Sequence, residues 1–269
     1  MTAQPLVALD IGSTKVTCAI GLPHDHSSGF ELLGTSMIPY HALSETWLSD
    51  PLMVGRTIEQ ALEATGVSGE FHRALVAFSH PLLASEQVTA SMTLADEPVT
   101  IRERDVERLT AKAVDHVLSI DREPLVVERL ACGGNGFDGV ADPVGLTATR
   151  LQGMFHVVTV PMAARRALVQ AVEFSGLDVA QVTFSLLAVA SAATEQSSAN
   201  RVLVLDVGGL NTDIGFFVNE RLLALHTLPW GGLNFAMEVA RSARVTLEQA
   251  MALSLEGLSS RRAEVRQAL

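Results

Sequence analysis

At 269 residues the chain is long enough for one large domain or two modest ones. Hydrophobic residues make up 48% and charged residues 18%, which excludes a disordered chain and leaves ample material for packed cores. The formal net charge of -11 argues against a nucleic-acid partner, which needs a basic face.

Residues 6–21 read as a hairpin: an apolar run to Asp10-Ile11-Gly12, a polar Ser13-Thr14-Lys15 turn, and a returning run from Val16 to Ile20. Residues 30–38 read as a third strand. Asp50-Pro51 opens a helix, with Asp as N-cap and Pro at the first helical position. Met53, Ile58, Ala61 and Leu62 give that helix its apolar face, and Gly66 ends it. Residues 73–79 read as a buried strand, so this region has the texture of an α/β layer.

After Ser79-His80-Pro81 the texture changes. Residues 87–94 alternate like a half-exposed strand. Thr100-Ile101-Arg102-Glu103 matches a capping box with Thr100 as N-cap, opening a helix with Ile101, Val106, Leu109, Ala113 and Val117 on one face. Residues 125–132 and 151–160 read as strands separated by a turn-rich stretch, 133–145. Residues 80–160 are therefore expected to form a compact strand–helix–strand–strand insertion.

Residues 161–174 read as a helix stopped at Gly176, 179–185 as a strand, 186–194 as a helix of small residues, and 195–200 as a polar linker. Then the opening pattern returns. An apolar run ends in Leu205-Asp206-Val207-Gly208-Gly209-Leu210-Asn211-Thr212-Asp213, and a second apolar run follows from Ile214 to Val218. After a strand at 222–228, Pro229-Trp230-Gly231-Gly232 turns into a helix beginning near Leu233. Thr246-Leu247-Glu248-Gln249 opens another helix, which Gly257 is expected to close.

The duplicated hairpin is the informative feature. Two such hairpins facing each other place two carboxylates and two sets of backbone N–H groups around one cleft. That constellation suits the phosphate tail of a magnesium–nucleotide. Glycine lets the backbone approach phosphate oxygens, and successive amides make an anion nest. The expected phosphate-binding residues are Asp10, Gly12, Ser13, Thr14, Lys15, Asp206, Gly208, Gly209, Asn211, Thr212, Gly231 and Gly232. Asp10 and Asp206 would hold magnesium through its waters. Lys15 is one of only two lysines, with Lys112, which sets it apart from ordinary solvated positions. The structural alternative is that each Asp merely forms a turn at a strand end, and that Asn211, Thr212 and Asp213 form an ordinary hairpin turn.

Other features carry less. Cys18, in a predicted strand, is expected to be a small buried hydrophobe, and two cysteines give no disulfide framework. The pair His24-x-His26 lies in a polar loop and is expected to face solvent, not a metal. Asp10 interrupts the N-terminus early, so no signal peptide is expected. No uncharged apolar run approaches the roughly 20 residues that span a bilayer. Residues 259–269 hold three arginines with Val265 and Leu269, and are expected to be an ordinary solvated helix end. Nothing resembles the nucleophile motifs of acyl chemistry.

With both hairpins, the Gly231-Gly232 turn and the insertion in hand, the chain resembles the actin-like superfamily and, within it, the FtsA family of bacterial cell-division proteins. The resemblance runs over almost the whole chain. It is carried by Asp10-Ile11-Gly12-Ser13-Thr14-Lys15, by Ile120-Asp121-Arg122-Glu123-Pro124-Leu125 and Asp142-Pro143-Val144-Gly145-Leu146 in the insertion, and by Leu228-Pro229-Trp230-Gly231-Gly232. It implies an α/β chain with the actin-like, duplicated ribonuclease H-like fold. Residues 1–79 and 161–195 would form the first half (1A), and residues 80–160 an FtsA-type, SHS2-like α+β subdomain (1C). Residues 196–232 would form part of the second half (2A), and 233–269 the start of subdomain 2B, leaving that half incomplete.

The resemblance further implies a cytoplasmic adaptor that binds ATP and Mg2+ between its halves and self-associates into filaments. It would join FtsZ and other division proteins at the cytoplasmic side of the inner membrane, with membrane contact peripheral and encoded elsewhere. At most it implies a slow ATPase. Three departures stand out. Leu210 replaces a family glycine, which implies weaker phosphate binding. Ser185-Leu186 stands where the family has Glu-Pro near the magnesium. The stretch 249–254 lacks the family's lysine. A nucleotide-free scaffold like the pilus-assembly protein PilM, and a small-molecule kinase or ATPase on the same fold, are the alternatives.

Overall fold

A computed structural model describes residues 4–24, 29–40, 50–195 and 199–252. His26, residues 196–198 of the predicted linker, Gly257 and the arginine-bearing stretch 259–269 lie outside the described residues.

The first half begins with β1 (Leu6–Ile11), β2 (Lys15–Pro23) and β3 (Phe30–Pro39), followed by α1 (Pro51–Ala64) and β4 (Arg73–Phe78). The Asp50 side chain accepts the Met53 amide at 3.0 Å, and Pro51 occupies the first helical turn. Gly66, at φ +70°, takes the left-handed conformation that ends the helix.

The insertion follows as β5 (Ala84–Thr93), β6 (Val99–Thr100), α2 (Glu103–Val117), β7 (Arg122–Gly134), β8 (Phe137–Val140), β9 (Thr147–Ala148) and β10 (Arg150–Pro161). The chain then returns to the first half through α3 (Met162–Phe174), β11 (Asp178–Phe184) and α4 (Ser185–Glu195). The second half contains β12 (Arg201–Val207), β13 (Thr212–Val218), β14 (Arg221–Leu228) and α5 (Gly232–Ala243). Residues 247–252 begin a further helix.

The first sheet has the order β11-β4-β1-β2-β3. β1 runs antiparallel to β2 and parallel to β4, which is also parallel to β11. One face of this sheet, with Val7, Leu9, Ile11, Val16, Cys18, Ile20, Val76 and Phe78, is almost completely buried. Helices α1 and α3 pack closely together: a Cβ on Gly55 would lie 2.7 Å from Phe174 Cβ and 2.8 Å from Ala171 O. Burial raises the Cys18 thiol pKa to about 11, as befits a small apolar side chain.

The insertion forms its own sheet, β5-β10-β7-β8, under α2. Its separate core contains Ile101, Val106, Leu109, Leu151, Phe155 and Val157. Two details differ from the sequence reading. Thr100 is not the N-cap of α2, because it pairs with Thr147 in the β6–β9 ladder. The helix starts at Glu103, and Asp105 reaches back to the Arg102 amide at 3.0 Å. The turn-rich stretch also holds β8, paired with β7 across Asn135-Gly136, with Gly136 at φ +88°. Asn-Gly between two runs is a hairpin signal that identifies this strand.

The insertion joins the first half at two crossings clamped by one arginine. Arg122 donates to Leu82 O (2.7 Å), Thr159 O (2.8 Å) and Thr159 Oγ1 (2.9 Å). It also touches the second half. Ser85 Oγ donates to Leu225 O, and Gln87 Nε2 to Leu223 O, both at 2.7 Å.

The second sheet has three strands, β12-β13-β14, all antiparallel. Here the two copies of the repeat part company. Val7, Leu9 and Ile11 are 1%, 2% and 0% exposed, whereas the matching Leu203, Leu205 and Val207 are 59%, 56% and 66% exposed. β1 is flanked by β2 and β4 and covered by helices. Among the described residues, β12 has only β13 beside it, and its buried position is Val204, on the opposite face.

Candidate functional site

Each repeat makes the same turn. Gly12 N–H donates to Lys15 O at 3.0 Å, and Gly208 N–H donates to Asn211 O at 2.9 Å. These amides close their own hairpins, so neither is offered to a ligand. Tyr40, the only tyrosine, anchors the first turn. Its amide donates to Thr14 O at 2.9 Å and its hydroxyl to Gly12 O. Burial first, then the nearby Asp10 charge, raises the Tyr40 pKa.

The two turns meet across the halves. The buried Leu210 amide donates to Ser13 Oγ at 3.1 Å. The backbone of Gly209 lies so close to the first turn that a Cβ there would come within 2.5 Å of both Ser13 Oγ and Thr14 Cγ2. Leu210 itself is 3% exposed and belongs to the main core. Its side chain therefore packs inward, and its amide is engaged by Ser13.

Three carboxylates converge. Asp10, next to the last residue of β1, accepts the Ser185 hydroxyl at 2.6 Å. Asp206 and Asp213 face each other directly across β12 and β13, which places both on the same face of the ladder. Asp213 is 0% exposed and accepts from Ser79 Oγ, Thr227 Oγ1 (2.5 Å) and Asn211 Nδ2 (3.0 Å). Burial raises its pKa, and the three donors oppose that shift. Burial also raises the pKa of Asp206, followed by the charges of Asp213 and Asp10, while Lys15 lowers it. Lys15 is exposed and supplies the positive charge of the group.

The remaining expected residues separate into two groups. Asn211 and Thr212 are buried; Asn211 Nδ2 donates to Ser79 Oγ at 2.7 Å, and the Thr212 hydroxyl donates to Trp230 O at 2.9 Å. The third turn does reach the second, but as backbone packing. Gly231 N–H donates to Asn234 Oδ1 (2.9 Å), Gly232 N–H to Gly208 O (2.9 Å) and Leu233 N–H to Gly209 O (2.8 Å). The expected anion donors Gly231 and Gly232 therefore spend their amides on the protein. Ser13, Thr14, Gly209 and Asn211 are the turn residues whose amides have no protein acceptor among the described residues. Ser79, Ser185, Tyr40 and Asp213 join the site without having been selected as ligands. Only Asp213 had a local signal, its mirror position to Asp206 across the hairpin.

Among the described residues no group of three or more His, Cys, Asp or Glu is placed to hold a metal directly. The donor set fits an ion held through water by Asp10 and Asp206, as magnesium prefers. It fits a phosphate tail through Lys15 and the turn amides left without a protein acceptor, a narrower set than the sequence suggested.

The family model for the SHS2 domain inserted in FtsA matches residues 82–159, the segment that leaves the first half after β4 and returns at α3. The chain is similar to FtsA over most of its length. It is 24% identical over 249 residues to the cell division protein FtsA of Bacillus subtilis, covering 91% of this chain and 56% of that protein. It is 26% identical over 247 residues to FtsA of Escherichia coli K12, covering 87% and 56%. To FtsA of Pseudomonas aeruginosa it is 26% identical over 254 residues, covering 93% and 60%. The FtsA-like chain thus spans a little over half the length of the curated relatives it matches. Among solved structures it is similar to the PilM–PilN type IV pilus biogenesis complex, with TM-score 0.68 at 16% identity, covering 92% of this chain and 68% of that one. It is also similar to the ethanolamine utilization protein EutJ of Carboxydothermus hydrogenoformans, with TM-score 0.51 at 11% identity, covering 94% and 62%. The fold is actin-like, with the FtsA-type insertion in its first half. No helix among the described residues is long and apolar enough to cross a membrane.

Proposed function

We propose that the chain acts as an FtsA-like cell-division adaptor. It binds the phosphate tail of magnesium–ATP weakly between its halves and self-associates into filaments. It links FtsZ, with other division proteins, to the cytoplasmic side of the membrane during septum formation. The observation that carries this reading is the combination of an FtsA-type insertion at 82–159 with facing Asp10 and Asp206 turns in one chain.

Lys15 would attract the phosphates, and the amides of Ser13, Thr14 and Gly209 would orient them. Asp10, steadied by Ser185, and Asp206 would hold magnesium through water. The ion supplies charge screening between these carboxylates and the phosphates. Asp213 is poorly suited to act as a general base, because it is fully buried and already accepts three hydrogen bonds. This favours an adaptor over a kinase.

One observation supports a second reading, a nucleotide-free scaffold: the amides of Leu210, Gly231 and Gly232 are satisfied within the protein. Calorimetric titration with Mg-ATP, with Asp10→Asn as control, separates the two. Micromolar binding lost in the variant supports the clamp, and no binding supports the scaffold. Co-sedimentation with FtsZ polymers tests the adaptor role, and its absence counts against that role.

A further inference from the structure

We infer that Ser13 and Ser79 latch the two halves together without nucleotide, so that phosphate competes with the latch instead of supplying the contact between the halves. The competition part rests on the reading of this cleft as a phosphate site; the latch itself does not.

The two serines reach from the first half to the second at separate points. Ser13, in the turn after β1, accepts the Leu210 amide at 3.1 Å. Ser79, just after β4, donates to Asp213 and accepts from Asn211 Nδ2 at 2.7 Å. Ser13, Leu210, Asn211 and Asp213 are all buried, so these bonds are shielded from water. Thr227 donates to the other oxygen of Asp213, so both carboxylate oxygens are engaged within the protein. The close approach of Gly209 to Ser13 and Thr14 shows that the turns are in direct contact. A cleft that depended on its ligand for closure would leave these buried donors and acceptors unpaired when empty, which costs free energy. Here they are paired by the chain itself.

A phosphate tail that needs the Ser13 hydroxyl or the Leu210 amide must first separate them. The latch then predicts the opposite of a ligand role for Ser13. Removing the hydroxyl releases the Leu210 amide and makes the cleft easier to enter.

The test is amide hydrogen exchange on the ligand-free full chain, followed by Mg-ATP calorimetry, for wild type, Ser13→Ala and Ser13→Ala/Ser79→Ala. Exchange over residues 203–213 is expected to accelerate about tenfold in the double variant, and Mg-ATP affinity to rise about tenfold. Ser79→Thr, which keeps the hydroxyl, is expected to retain slow exchange. Unchanged exchange in Ser13→Ala and in the double variant overturns the latch. Faster exchange with weaker Mg-ATP binding overturns the competition, because the hydroxyls would then be ligands. Faster exchange with no Mg-ATP binding by any form upholds the latch and removes the phosphate reading instead. Should the double variant fail to fold, Ser13→Ala alone carries the decision, since it deletes one atom whose partner is a backbone amide.

Discussion

Gly231 and Gly232 look alike in the sequence, yet substituting each by alanine is expected to give opposite results. Neither is held by an unusual backbone: Gly231 has φ -157°, which any residue adopts. The difference is space. A Cβ on Gly231 would lie 2.5 Å from Gly208 O and 2.6 Å from Gly209 O, both backbone atoms of the second turn. A Cβ on Gly232 would meet its nearest neighbour, Gly208 O, at 3.8 Å, an ordinary contact. Gly231→Ala must therefore push α5 away from the turn. Relieving the overlap costs about 1–3 kcal/mol. Stretching the Gly232–Gly208 and Leu233–Gly209 hydrogen bonds adds about 0.5–1.5 kcal/mol each. The expected destabilisation is about 2–6 kcal/mol, a fall of about 1 M or more in the urea midpoint. Gly232→Ala, at the first position of a helix, is expected to be neutral or stabilising by about 0.5 kcal/mol, because alanine loses less backbone freedom. Equilibrium urea unfolding followed by circular dichroism measures both. Equal effects for the two variants, or a cost below about 1 kcal/mol for Gly231→Ala, would refute the packing argument.

The duplicated strands offer a second contrast. Leu9→Ala is expected to cost about 2–5 kcal/mol and Leu205→Ala under about 0.5 kcal/mol, because Leu9 is 2% and Leu205 is 56% exposed; comparable losses in the two unfolding curves would show that the face of β12 is covered in solution. His80 is buried, and burial followed by the Arg122 charge lowers its pKa to about 4. The folded state therefore favours the neutral ring, whose Nδ1 accepts the Leu82 amide at 3.1 Å. This stability is complete above the unfolded pKa of about 6.5 and is lost as pH falls toward 4, by about 3 kcal/mol at most. A His80→Gln variant should show a flatter urea midpoint across that window, and an unchanged slope would contradict the assignment. Arg122→Ala is expected to cost about 1–3 kcal/mol and to speed amide exchange at both crossings of the insertion, residues 79–85 and 158–162; acceleration confined to α2 would place the clamp elsewhere.

Local sequence determined a good deal of this protein. The two Asp-Gly turns, the Asp50-Pro51 start of α1, the apolar face of α2 and the change of texture at Pro81 all rest on interactions within a few residues. Turn chemistry and side-chain periodicity encode such interactions directly. The boundary of α2 was misread because Thr100 had a competing partner, Thr147, 47 positions away. The same reason limits what the site motifs reveal. Leu9 and Leu205 occupy matching positions in matching motifs, but among the described residues Leu9 is covered and Leu205 is not. Gly231 and Gly232 are adjacent and identical in type, but only Gly232 has room for a Cβ against the second turn. Ser13 and Leu210 lie 197 positions apart, and no local pattern pairs them. The sequence by itself determined that two carboxylate turns exist and that an insertion separates them. Only the tertiary structure decided which faces are buried, which amides remain available and which hydroxyls span the cleft, because burial and long-range hydrogen bonding depend on the layer that packs against each element.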